Sequence, residues 1–577
     1  MYPRFIFAFI ISLAIFAGAA AAQDPTPTPT PAVDDKQEVT PENIKGVPAI
    51  APNFASDDRS LPDLGRVGVD MTNQRPMTVR EAIALALENN KDIELTRKSV
   101  KIAEFDLQAA RGFYQPRLTG RTSYELVTSP NVSIFSSNPT TTQGSFIGNV
   151  GVTGFIRQYG TVITAETANQ RLTANNPISI LSPQYNASLG ISFTQPLFKG
   201  RSFDQGRRTI EIAKRNLSLT DVQFRQRSIE IITNVQRAYW DLTFALRNLQ
   251  VQRDGVRDAK QQLEHNRRLV EEGQLAPIDI VAAETQVANF ELAVYDALNI
   301  VTQAENALKN LVSPNRYDAI WSESVTPIDP VDLKAPLTTL NDAVNAAMAN
   351  RPELEVNQVQ KDINAIDQRF YKNQSKPQID LIAGYTSSGV GGSRNPDFNP
   401  TFPTACTIDP TSPACQQQQA NLAALTGNPY AGILQNKYPA YRVGVQFNLP
   451  LFGDKTAKAQ LGRSLVESER LQTQREQIEQ GILLEVRNAI QAVRTAEARL
   501  RAAAVARENS AKQYESEQRK LDAGQSDIYR VLERQTALTS ARSAELRAQT
   551  ELNKAIADLH RATGNSLKEN DITMLRK

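Results

Sequence analysis

The sequence predicts a mainly α-helical protein with a minority of membrane-type β-strands, laid out as a duplicated strand-plus-long-helix unit. Three observations predict it. The chain runs from about Gly206 to Glu272 without a proline, 67 residues of helix-like pattern. An alternating strand, Leu189-Gly190-Ile191-Ser192-Phe193, and a break at Gln195-Pro196-Leu197-Phe198 precede that run. The same order then returns as Val443 to Phe447, Leu449-Pro450-Leu451-Phe452, and a second proline-free run from Lys455 to Ala523.

The bulk properties narrow the class. The chain has 577 residues, 41% hydrophobic and 22% charged, with a net charge of +2. That composition excludes a disordered or collagen-like protein, and near-neutral charge gives no support for a nucleic-acid partner. Residues 1–22 read as a signal peptide, with Arg4 as the positive start, Phe5 to Ala17 as the apolar core and Ala20-Ala21-Ala22 as the cleavage pattern. Beyond it the sequence has no apolar run of about 18 residues, so residence in a membrane requires strands.

Residues 23–76 read as a linker, since Pro25-Thr26-Pro27-Thr28-Pro29-Thr30-Pro31 favours extended polyproline geometry. The first repeat covers 77–328. Thr78-Val79-Arg80-Glu81 forms a capping box, helices occupy about 78–112, and Pro116 stops them. Strand-like sequence follows over about 116–127, with Leu118, Gly120, Thr122, Tyr124 and Leu126 on one face. The second repeat covers 339–564. Ala82 aligns with Ala343, Ile93 with Leu354, Pro116 with Pro377 and Tyr124 with Tyr385, all at one offset of 261 residues. The remaining strands are expected at about 186–196, 377–386 and 441–450, and the tail at 565–577.

Each apolar strand face is about four side chains long, which suits a tilted membrane strand of about 9 to 11 residues. Long polar connections separate the two strands of each repeat. The first, about 128–184, holds strand-like pieces at Val150-Gly151-Val152 and Thr161 to Thr164. The second, about 388–439, holds Gly389-Val390-Gly391-Gly392 and the chain's two cysteines, Cys406 and Cys415. These two can form a local disulfide after export; two free thiols is the other reading. Gly389 to Gly392 lacks the strand-to-helix setting of a phosphate cradle.

The long helices, about 206–272 and 455–523, carry a narrow apolar stripe that includes Ile210, Leu217, Phe224, Ile231, Val235, Leu242 and Leu249. Steps of three, four or seven fit a coiled-coil-like seam. A helix of this size is roughly 100 Å long at 1.5 Å per residue. Each ends at a glycine, Gly273 or Gly524, and turns into a return helix at about 278–311 or 528–562. Four strands cannot close a barrel with an interior, for which about eight is the practical minimum. An open edge in lipid leaves backbone groups unpaired, so several chains must share one barrel, most simply in a cyclic ring.

Taken together, Met77 to Gly564 resembles the TolC-type outer-membrane efflux family in two copies. The marks are the P-L-F turns at Pro196 to Phe198 and Pro450 to Phe452, the glycine hairpins at Gly273 and Gly524, and the duplication itself. The resemblance implies four strands per chain and a homotrimer closing a twelve-stranded β-barrel in the outer membrane. It also implies a long α-helical barrel extending into the periplasm. Function would be passive conduction of small molecules from an inner-membrane efflux pump or ABC transporter and a periplasmic adaptor. No enzymatic activity, cofactor or metal site is expected, since the sequence has no nucleophile motif, metal cluster or phosphate loop.

The resemblance places function at the inner tip. Asp279, six residues after Gly273, matches a family tip aspartate, and Glu533, nine after Gly524, matches a lumen-facing acid. Some members carry a latching arginine where this chain has Ser526, and a second acid where it has Arg530. Arg530 is therefore a candidate partner for Asp279 of a neighbouring hairpin. Ordinary solvated helix charges are the alternative for all three. The turns around Gly273, Gln274, Gly524 and Gln525 are candidate adaptor contacts. Two other functions fit parts of the pattern. One is an exit duct for type I protein secretion; the other is a coiled-coil tether between outer membrane and cell wall, which has no need of a duplicated strand pair.

Overall fold

The computed structural model describes residues 65–130, 139–398, 404–451 and 454–572. The predicted signal peptide at 1–22, the proline-rich stretch up to residue 64, and Phe452 lie outside the described residues. The chain is mainly helical. Its first half runs β1 (Asp70–Met77), α1 (Val79–Asn89), α2 (Lys91–Arg111), β2 (Arg117–Pro130), β3 (Thr140–Ile156), β4 (Thr161–Ala174), β5 (Leu181–Pro196), α3 (Gln205–Glu271), α4 (Ile278–Val312) and β6 (Glu323–Pro327). The second half runs α5 (Leu340–Asn350), α6 (Pro352–Gln374), β7 (Gln378–Arg394), α7 (Ala405–Ile408), α8 (Pro413–Leu425), α9 (Pro429–Leu434), β8 (Tyr438–Asn448), α10 (Lys455–Asp522), α11 (Ile528–Ala562) and α12 (Ser566–Glu569).

Local chemistry sets the helix boundaries. Thr78 caps α1 by accepting from the Glu81 amide at 3.1 Å. Asn90 closes α1 and opens α2, accepting from the Asp92 amide at 2.9 Å. Asp204 and Asp454 cap α3 and α10, each accepting a backbone N–H three residues on at 2.8 Å. These two helices have 67 and 68 residues.

One apolar cluster joins α1, α3 and α4 through Ile83, Ile231, Ile232, Val235, Leu242, Val301 and Leu308. A second joins α5, α10 and α11 through Ala343, Ile482, Val486, Val493, Leu552 and Leu559. Each of these Val, Leu and Ile side chains contributes roughly 1.5–3 kcal/mol on full burial. The clusters occupy corresponding places in the two halves, as a duplication requires.

Six strands form one antiparallel sheet in the order β2-β3-β4-β5-β7-β8. This corrects the expectation of four strands per chain. The connection at 128–184, read as a loop, builds β3 and β4 as full-length strands that join the sheet. Their hydrogen bonding runs unbroken from Arg117↔Thr153 to Pro130↔Thr140 and from Gln143↔Ala174 to Ile156↔Thr161. The connection at 388–439 extends β7 and adds three short helices before β8. The linker reading of 23–76 is corrected at its end, where β1 pairs in parallel with β6 across some 250 residues of sequence. The segment lacks apolar alternation because its ladder, and not a buried face, holds it in place.

Candidate functional site: a two-faced sheet and two hairpin tips

Register across the sheet sorts its side chains onto two faces. One continuous row reads Leu118, Val152, Ala165, Ile191, Tyr385, Tyr441. The next row, on the opposite face, reads Arg117, Thr153, Thr164, Ser192, Gly384, Arg442. Period-two alternation, apolar on one side and polar on the other, holds through the middle of the strands, while β4 is mixed toward its ends, with Asn169 and Arg171 in the apolar phase and Val162 and Leu172 in the polar one. Leu118, Val443 and Phe447 on the apolar face are 74%, 80% and 69% exposed. An uncovered apolar band of this kind is costly in water and suits lipid. Among the described residues, no helix is long and apolar enough to cross a membrane.

Away from the helices, α9 packs on that apolar face. Tyr430 donates its hydroxyl to Asn169 Oδ1 at 2.9 Å, and Ser387 donates to the Ile433 carbonyl at 3.0 Å. A Cβ at Gly389 would lie 1.8 Å from the Pro429 carbonyl oxygen. The glycine run at 389–392 therefore serves close backbone approach. Sequence reasoning rejected a phosphate site there but missed this packing; the glycines' alternation with strand residues was the available signal. Cys406 and Cys415 are disulfide-bonded, with Cα atoms 4.5 Å apart.

At the helix end of the sheet the two strand-to-helix turns meet. Pro196 ends β5, and the next amide, that of Leu197, donates to the Ile379 carbonyl at 2.9 Å. Phe198 is half exposed, and Pro450 follows β8 on the surface. Lys199 pairs with Asp454 at 3.7 Å, joining the turn of one half to the helix cap of the other. Tyr114 bonds Asp204. Its own burial, followed by that carboxylate, pushes the Tyr114 phenol up to about 12.

The hairpin tips are built alike. Gly273 has φ +74° and Gly524 has φ +69°, the left-handed region. In the first, the Gly273 amide donates to the Val270 carbonyl at 3.0 Å and the Gln274 amide to that of Leu269 at 2.8 Å. In the second, Gly524 donates to Leu521 at 2.9 Å and Gln525 to Lys520 at 2.8 Å. Both are Schellman caps, which satisfy the last carbonyls of a helix. No atom crowds either glycine, so backbone conformation, and not space, selects the residue.

The predicted tip charges lie in the first two turns of the return helices. Asp279 folds back on its own turn, accepting from the Ala276 amide at 3.1 Å. Arg530 pairs with Asp527 at 3.3 Å, and Asp527 also caps α11 by accepting the Arg530 amide at 3.0 Å. Glu533 is exposed. Ser526 donates its hydroxyl to Glu517, and that bond, with the Lys520 ammonium nearby, holds the Glu517 carboxyl below the usual range. His265 and Asp522, 3.1 Å apart, link the two hairpins of the chain. Sequence reasoning missed this link because its partners are 257 residues apart. Among the described residues no cluster of His, Cys, Asp or Glu has the make-up of a metal site.

A family profile described as Outer membrane efflux protein matches residues 162–313 and 343–565, more than half of the chain. Among solved structures, the fold is similar to the CmeC outer membrane channel of Campylobacter jejuni, at 15% identity and TM-score 0.58, covering 86% of this chain and 90% of that one. It is similar to VceC of Vibrio cholerae, at 15% identity and TM-score 0.56, covering 84% and 96%. It is also similar to the open state of the MtrE outer membrane channel of Neisseria gonorrhoeae, at 16% identity and TM-score 0.56, covering 85% and 89%. Among curated protein sequences, no match was found. On the family match, with a sheet and paired helical hairpins of the kind described, the chain belongs to the outer membrane efflux protein family.

Proposed function

We propose that the protein is the outer-membrane channel of a tripartite efflux system. In this reading a homotrimer conducts small molecules passively from a periplasmic adaptor and an inner-membrane pump to the exterior. The observation that carries it is the two-faced sheet with both edges open. A sheet whose apolar side α9 covers only at the end away from the helices, and whose edges β2 and β8 are unpaired among the described residues, satisfies its backbone in lipid only by closing with other copies. The helices carry the same message. On α2, Leu95, Ile102 and Phe105 are 63%, 61% and 61% exposed at helical spacing, a stripe suited to a neighbouring copy.

At the tips, Asp279 and Glu533 supply the acidic side chains of a constriction. Arg530 can leave Asp527 for Asp279 of the adjacent copy. Repeated by threefold symmetry, these charges would narrow the path and favour cations. The exposed turns at Gly273-Gln274 and Gly524-Gln525 are the proposed adaptor contacts, flanked by Ile278 and Tyr529, 62% and 58% exposed.

Planar-bilayer recording of the purified protein tests this reading. Discrete, long-lived conductance steps are expected, with Asp279→Ala and Arg530→Ala raising closed-state leak. Failure to conduct would reject the channel. Unchanged leak in both variants would reject the charge constriction alone.

A further inference from the structure

We infer that the β3–β4 hairpin is an insertion that widens the membrane wall. On the trimeric-channel reading, three copies then close an eighteen-stranded barrel in which β8 of one copy pairs with β2 of the next.

The two halves of the chain show where the insertion sits. By the common offset, Pro116 and Tyr124 correspond to Pro377 and Tyr385, so β2 corresponds to β7. By the P-L-F turns at Pro196 and Pro450, β5 corresponds to β8. In the second half these counterparts are direct neighbours, with Tyr385 opposite Tyr441. In the first half β2 and β5 are not neighbours in the sheet. β3 and β4 stand between them, bonded on both sides along their lengths. Where the second half carries three short helices outside the ladder, the first carries two extra staves within it.

Three features make the hairpin part of the wall. Its side chains continue both rows of the sheet without a break: Val152 and Ala165 on the apolar face, Thr153 and Thr164 on the polar one. A hairpin folded away from the sheet would have no reason to keep that phase. Its lower turn is fastened to the helix junction. Gln195 Nε2 donates to the Tyr159 carbonyl at 3.0 Å, and the Thr161 hydroxyl donates to Gln195 Oε1 at 2.5 Å. The Arg157 guanidinium lies 5.9 Å from the Tyr114 ring centre, and a Cβ at Gly160 would meet the Gly200 carbonyl oxygen at 2.7 Å. Adding two strands also preserves the alternation of direction. β2 and β8 remain antiparallel, so β8 can pair with the next copy's β2 as every other neighbour does.

The geometric consequence is a wider bore. With strands about 4.8 Å apart and tilted about 40°, eighteen strands make a cylinder about 36 Å across, against about 24 Å for twelve. Barrels of that strand number leave a water-filled lumen. On the inner phase the added wall carries Asn149, Gly151, Thr153, Thr164, Glu166 and Ala168 along its middle, with Ile147, Phe155, Val162 and Leu172 toward the strand ends. The outer-membrane section is therefore built to pass bulky hydrated solutes.

The test uses the full chain in lipid bilayers with the native disulfide kept oxidised. Single fluorescent labels go on Val152→Cys and Ala165→Cys, on Thr153→Cys and Thr164→Cys, and on the controls Ile191→Cys and Val443→Cys. Brominated lipid should quench the first pair and the controls, iodide the second pair. Iodide quenching of the Val152 and Ala165 labels, with the controls still quenched by lipid, would place the hairpin outside the wall and overturn the inference while leaving the channel intact. Controls that lipid fails to quench would sink the channel reading and the inference with it. Electron cryo-microscopy of the same sample should count eighteen strands; twelve would overturn the inference.

Discussion

Arg66 and Glu305 form an ion pair at 2.7 Å with side chains only 4% and 1% exposed. Glu305 stands between two buried cations, since Lys309 Nζ lies 3.3 Å from its other carboxylate oxygen. That oxygen also accepts the Val325 amide at 2.9 Å, while Lys309 donates to the Glu323 carbonyl at 2.6 Å. One carboxylate therefore ties Arg66 and β6 to α4. Burial drives the Lys309 ammonium below its usual range, a sign of how poorly water reaches the cluster. Removing one member of a buried pair leaves the remaining charge uncompensated, at about 3–5 kcal/mol. Glu305→Ala should lower the thermal midpoint sharply. Arg66→Met/Glu305→Leu/Lys309→Met should recover most of the loss, because the charges go together. Equal melting of wild type and Glu305→Ala would contradict this account.

A second expectation concerns acid. Burial lowers the His560 imidazolium below its ordinary 6.5, and the Glu569 carboxylate offsets part of that shift. The folded state therefore holds His560 neutral where the unfolded chain already binds a proton. As pH falls through 6.5 toward the folded value, the unfolded state binds more protons and stability drops; above 6.5 the contribution is complete. His560→Gln removes the group and should flatten that part of the profile. Thermal midpoints measured from about pH 7.5 to about pH 5 decide the matter: parallel curves for the two proteins would exclude His560 as the source.

Which features were legible in the sequence follows from the range of the interactions that make them. The helices at 205–271 and 455–522 are local structures, so the lack of proline and the apolar stripe announce them within a turn or two. The tip glycines are local too, since φ above zero needs only their own backbone. β3 was visible only as Val150-Gly151-Val152, because Gly144, Gly148 and Gly154 interrupt its apolar face. What holds it is the ladder to strands on either side. β1 was hidden for the same reason, as its partner lies some 250 residues on. At the tip, the family resemblance, counted from Gly273 and Gly524, singles out Asp279 and Arg530 as candidates. It could not show that the nearest partners in their own chain are the Ala276 amide and Asp527, because side-chain direction is decided by capping geometry.

The close approach at Gly389 yields a third expectation. A methyl group 1.8 Å from the Pro429 carbonyl oxygen cannot be accommodated, and both crowded atoms belong to main chain. Gly389→Ala should lift α9 from the sheet, breaking the bonds from Tyr430 to Asn169 and from Ser387 to Ile433. The ladder between β7 and β8 does not pass through α9, so the sheet should persist. Limited proteolysis should show faster cleavage within 404–437 and an unchanged thermal midpoint to within a few degrees. Wild-type protection of that segment would mean that α9 stays seated despite the added carbon.

The fourth expectation separates the shape of a tip from its role. At Gly273 and Gly524 an alanine side chain incurs the left-handed penalty, about 1–2 kcal/mol per site, while no neighbouring atom obstructs it. Gly273→Ala and Gly524→Ala should therefore loosen the last turns of α3 and α10 without disturbing the clusters that hold the helices together. Hydrogen exchange should accelerate at the amides of Gln274 and Gln525, which close the two caps, while amides near Val235 and Val486 keep their protection. Gly273→Asn, a residue that tolerates this conformation, should restore slow exchange at Gln274. If alanine left both caps as protected as in the wild type, backbone geometry would not be what selects glycine at the tips.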